Sequence, residues 1–74
     1  MKVLVTDHGR KRLKNLRQDG ILTEDIIDAS QKIPGCVPIA TRFRGFEAKS
    51  GKIFDLVVKD IDDGRLVITI IGKE

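Results

Sequence analysis

Ile53-Phe-Asp-Leu-Val-Val-Lys-Asp-Ile61 runs into Asp62-Asp63-Gly64 and then Arg65-Leu66-Val-Ile-Thr-Ile-Ile71. Two runs dense in Ile, Val, Leu and Phe, joined through an Asp-Gly pair, read as strand, turn and strand. Branched and aromatic side chains fit a pleated sheet, and glycine supplies the backbone of a tight turn. The first run is apolar enough to be central. The second is apolar on both faces, which again predicts a buried position.

Working upstream, Ser50-Gly51 reads as a turn, and Pro38 to Phe46 as a further strand. Alternation puts Ile39, Thr41 and Phe43 on one face of it and Arg42 and Arg44 on the other. Pro34-Gly35 closes a helix that Thr23 is expected to cap. Glu24 and Asp25 suit the positive end of that helix, and Lys32 its last turn. Ile26, Ser30 and Ile33 share one face by i, i+4, i+7 spacing, with Ile27 beside them.

A shorter helix precedes it, capped by Thr6 or Asp7, running to about Arg17 or Gln18 and ended by Asp19-Gly20. Lys2-Val-Leu-Val-Thr6 reads as an opening strand. The order is β-α-α-β-β-β. It predicts a single α+β domain over residues 1–74, an antiparallel sheet packed against two helices.

Hydrophobic residues make up 41% and charged residues 34% of the 74, a globular balance near the lower size limit for an unstapled core. Such a core is open to completion by a dimer mate or a partner protein. No apolar run of about 18 residues is present, so no membrane span is expected. The N-terminus lacks the apolar region of a signal peptide. A single cysteine forms no internal disulfide, which fits a reducing cytoplasm.

The net charge is +3, but its distribution says more. Residues 2–17 carry six cations and one anion, whereas residues 18–33 carry four anions and one cation. One surface is therefore expected to be basic and another acidic. The basic excess peaks at Arg10-Lys-Arg-Leu-Lys-Asn-Leu-Arg17, where five of eight residues are cationic. On a helical wheel Leu13 and Leu16 face the core. Arg10, Lys14 and Arg17 form one row; His8, Arg12 and Asn15 form another, with Lys11 at its edge. A solvated face is the plain explanation, but five cations without an intervening anion repel one another unless something anionic meets them. Forked arginines and point-charge lysines suit phosphate, so the expected partner is RNA. Arg42 and Arg44 would extend that surface.

The chain has no Tyr or Trp and three Phe, so base stacking is poorly supplied. His8, the single histidine, is the side chain whose ordinary titration lies near neutrality. It is the candidate general acid or base for RNA cleavage, with Arg12 stabilising the developing charge. Cys36 has no second cysteine or nearby histidine, so neither a metal site nor a cofactor is expected.

Lys11-x-x-x-Asn15-Leu16-Arg17-x-x-Gly20-Ile21-x-x-Glu24-Asp25 resembles the opening of the BrnT-type toxins, small members of the RelE-like ribonuclease superfamily. Asp7-His8, Arg12 and Gly20-Ile21 also resemble a related family of small domains of unknown function. The resemblance covers most of the chain and implies a twisted antiparallel sheet, RNA as substrate, metal-independent cleavage by basic residues, and a neutralising antitoxin-like protein partner. Two stretches depart from the pattern. Gln18-Asp19 stands where a Lys-His is usual, and Ile68-Thr69-Ile70-Ile71-Gly72 replaces a basic last strand. The leading expectation is thus a toxin-like RNA-binding protein, with or without ribonuclease activity. It binds through Arg10, Lys11, Lys14, Arg17, Arg42 and Arg44. The rival expectation is a non-catalytic protein-interaction module, phage-borne or on a mobile element. Its acidic second helix and an exposed strand edge would be the working surfaces.

Overall fold

The computed structural model describes residues 2–14 and 20–73. In chain order the elements are β1 (Val3–Val5), α1 (Asp7–Leu13), α2 (Thr23–Lys32), β2 (Thr41–Glu47), β3 (Ile53–Ile61) and β4 (Gly64–Lys73). They form an α+β fold with a four-stranded sheet ordered β1-β4-β3-β2. The apolar runs on either side of Asp62-Asp63 are the two inner strands, as their composition predicts.

The sheet is mixed, which corrects the expected antiparallel one. β2, β3 and β4 pair antiparallel, but β1 lies parallel to β4, with Leu4 opposite Leu66. Thr6, at the end of β1, supplies the reason. It donates its amide to the Val67 carbonyl at 3.0 Å and its hydroxyl to the Ile68 carbonyl at 2.8 Å. The chain then turns into α1, which continues along the β4 edge that three-residue β1 is too short to cover. Gly64 permits the approach: its φ is +146°, and a Cβ there would collide with the Lys2 carbonyl.

α2 is too short to persist alone in water, so packing decides it. Its Ile26, Ala29 and Ile33 are buried against Phe54, Leu56, Val58, Val67 and Ile70, all five fully buried. Each such side chain contributes roughly 1.5–3 kcal/mol on leaving water. Ser30 shares that face, as the spacing predicts, and its hydroxyl is buried without a hydrogen-bond partner among the described residues. The cap differs from expectation: Leu22, not Thr23, is the N-cap, and its amide donates to the Asp25 carboxylate at 2.8 Å.

Two bulges tune the sheet. On β2, Arg44 and Gly45 together oppose Asp55, so Phe43 and Phe46, three residues apart, reach the same face. On β4, Ile68 is the extra residue, which brings Val67 and Ile70 to one face. β2 begins at Thr41 rather than Pro38, so Ile39 lies outside it, 71% exposed, instead of sharing a strand face with Thr41 and Phe43.

Candidate nucleic-acid interface

α1 starts where Thr6 ends β1, and the Thr6 hydroxyl oxygen accepts the Gly9 amide at 3.0 Å. Gly9 is buried, where a Cβ would press on Val5 and Thr6, so the helix can approach the sheet closely. Leu13 packs against the core. With that side fixed, His8, Arg10, Lys11 and Lys14 are exposed. Helical periodicity puts His8 and Arg12 one turn apart on one face. Arg12 is half-buried and donates from Nε to the Ile70 carbonyl at 3.4 Å. The described helix ends at Leu13, with Lys14 as its C-cap. Arg17, with Asn15 and Leu16, lies outside the described residues.

Four ion pairs form among the described residues: Arg42–Asp55, Lys73–Asp55, Arg65–Asp60 and Lys49–Glu24. None involves α1. Arg10, Lys11, Arg12 and Lys14 therefore carry their charge without a described carboxylate partner.

Arg42 stands differently. Its Nε and Nη2 meet Asp55 Oδ2 at 2.9 and 2.7 Å, and the Gly45 amide donates to Oδ1 at 3.1 Å. Lys73 Nζ lies 3.3 Å from the same carboxylate, which is fully buried. Burial pushes the Asp55 carboxyl up, but the hydrogen bonds from Arg42, Gly45 and Lys73 outweigh it and hold it below its ordinary value. Arg42 thus fastens the β2 bulge, while Arg44 is exposed and without a described carboxylate partner. β4 and β3 separate α1 from β2, so the helix cations and Arg44 stand on the order of 15–20 Å apart at the usual strand and layer spacings. The sequence-predicted residues form a dense group on α1 and a distant outpost on β2, rather than one compact cradle.

A second ionic centre escaped the sequence reading. Arg65 is 1% exposed. Its Nε and Nη2 grip Asp60 at 2.6 and 3.0 Å, and its remaining donors reach the Ser30, Ile33 and Gly35 carbonyls where α2 ends. Asp60 also accepts the Val37 amide at 2.7 Å. The signal for this pair was present: a hairpin turning at Asp62-Asp63 sets Asp60 directly opposite Arg65.

No group of three or more His, Cys, Asp or Glu suited to a metal occurs among the described residues. No described helix is long and apolar enough to cross a membrane. Comparison with protein-family models, curated proteins and solved structures gave no match to this chain.

Proposed function

We propose that this protein binds RNA through the outward face of α1, as a toxin-like protein of RelE/BrnT-like form working in the cytoplasm. The observation that carries the reading is the contrast in charge pairing. Arg42, Arg65, Lys73 and Lys49 each meet a carboxylate, whereas the cations crowded on α1 meet none among the described residues. A phosphate chain would relieve that repulsion and release its own counterions. Arg10, Lys11 and Lys14 are the principal contacts, Arg17 belongs to the same basic run of sequence, and Arg44 takes a more distant phosphate. Arg42 contributes field rather than a free fork, because Asp55 occupies it. Cys36, exposed and unpaired, suits a reducing compartment. In the cleaving form of this reading, His8 moves the proton and Arg12, one turn away, stabilises the phosphorane-like charge without a metal. The same reading carries an antitoxin-like protein partner.

The test is a titration of the protein against labelled single-stranded and structured RNA at two salt concentrations, with products run on a denaturing gel. Arg10→Ala with Lys14→Ala should weaken binding tenfold or more and reduce the salt slope by roughly 1.4, about 0.7 per lost phosphate contact on a single strand. Cleavage lost in His8→Ala would establish the nuclease form. Binding unchanged by the double variant at low salt would remove α1 from the interface.

A further inference from the structure

The outer edge of β1 offers backbone groups without a described partner beside an apolar groove. In a parallel ladder alternate residues turn their N–H and C=O to the same side. The Lys2 carbonyl accepts from the Arg65 amide at 2.8 Å and the Thr6 amide donates to Val67 at 3.0 Å, so Lys2, Leu4 and Thr6 face β4. Val3 and Val5 therefore present N–H and C=O outward, and no described backbone group meets them there. Alongside lies a groove of about 530 Å³, lined by β1, by Leu13 of α1 and by Ile27 of α2. Its volume falls within the roughly 300–1,000 Å³ of ordinary binding sites. Arg10 and Lys14, both exposed, also line it.

We propose that this edge takes an extended acidic–apolar segment of a partner protein, added to the sheet as a fifth strand. Its backbone pairs with Val3 and Val5, and every second side chain faces the groove; of these, apolar ones enter between Leu13 and Ile27 and carboxylates meet Arg10 and Lys14. Strand addition of this kind draws affinity from main-chain hydrogen bonds and specificity from side-chain pockets. Charge selects the occupant. A second copy pairing through β1 would bring two sets of Arg10 and Lys14 together, and like charges across such a contact are unfavourable. The opposite edge is protected: β2 carries the Gly45 bulge and Arg44, devices that discourage edge pairing. The proposal does not rest on the RNA reading. Because Arg10 and Lys14 serve both, RNA and the peptide would compete.

The experiment titrates the full chain with a fluorescent eight-residue Glu–Val peptide, Val-Thr-Glu-Thr-Val-Thr-Glu-Thr, whose Val and Glu share one strand face, and with the Lys–Val counterpart in which Lys replaces Glu. Amide exchange is followed by NMR. The Glu–Val peptide should bind at least tenfold more tightly, slow exchange at Val3 and Val5, and leave Leu4 unchanged. Arg10→Ala with Lys14→Ala should weaken it tenfold or more, as should Ile27→Glu. Val3→Pro, which removes one outward donor while sparing the β4 pairing, should weaken binding as well, and unchanged affinity in that variant would overturn strand addition at β1. Equal binding of the two peptides, binding without protection of Val3 and Val5, or no binding would each overturn the proposal. Protection of the same amides in the concentrated free protein, with a dimer in sedimentation, would overturn it in favour of a second copy.

Discussion

The Thr6 hydroxyl donates to the Ile68 carbonyl at 2.8 Å, across 62 residues of chain. The same oxygen accepts the Gly9 amide that opens α1. One side chain thus ends β1, caps the helix and satisfies a carbonyl at the β4 bulge. Thr6→Val keeps the shape and removes all hydroxyl chemistry. It should cost about 2 kcal/mol, combining a lost N-cap with an unsatisfied carbonyl. Urea denaturation checks this, and Thr6→Ser should retain most of the stability.

Gly64→Ala tests the approach of β1. The added Cβ collides with the Lys2 carbonyl in a backbone conformation that side chains rarely adopt. The expected loss exceeds about 2 kcal/mol. Native-state hydrogen exchange should show Leu4 and Thr6 losing protection while Leu56 and Ile70 keep theirs. Uniform loss across the sheet would mean that β1 does not dock separately.

Acid sensitivity is expected from the two engaged carboxylates. The Arg65 guanidinium beside Asp60, helped by the Val37 amide, holds that carboxyl down to about 2. A carboxyl lowered on folding contributes stability above its unfolded pKa, and loses it as pH falls through the folded value. Stability should therefore drop between about pH 4 and pH 2. Asp55, also lowered, acts in the same direction. Asp60→Asn should lower stability at neutral pH and flatten the acid limb. An unchanged acid slope in that variant would rule out Asp60 as its source.

Ser30 presents the reverse case. Its hydroxyl is fully buried with no described partner. Alanine removes the unpaired group and is the better helix former. Ser30→Ala should stabilise by up to about 1 kcal/mol, raising Tm by roughly 4–8 °C for a domain this size. Calorimetry decides it, and a lowered Tm would show that the hydroxyl is satisfied.

The inner hairpin, the apolar face of α2 and the crowding of cations on α1 were all legible, because each rests on local periodicity or a turn signal. Other features were present but need a second step to read. Phe43 and Phe46 are three apart and cannot share a strand face without a bulge, which Gly45 marks. Asp60 and Arg65 become partners once the turn is centred. The direction of β1 was not legible, since three apolar residues pair equally well either way. Nor was the engagement of Arg42, because alternation gives its face but not the buried Asp55 awaiting it on β3.

The parallel seam between β1 and β4 also fixes an order of events. The β3–β4 hairpin closes over a few residues of chain, whereas β1 must find a strand some sixty residues away. Long loops are slow to close, so the seam is expected late on the folding path. During synthesis β1 has no place to dock until β4 has emerged. The cationic helix, tied to that seam through Thr6, is therefore expected to dock last and, on local opening, to come away first.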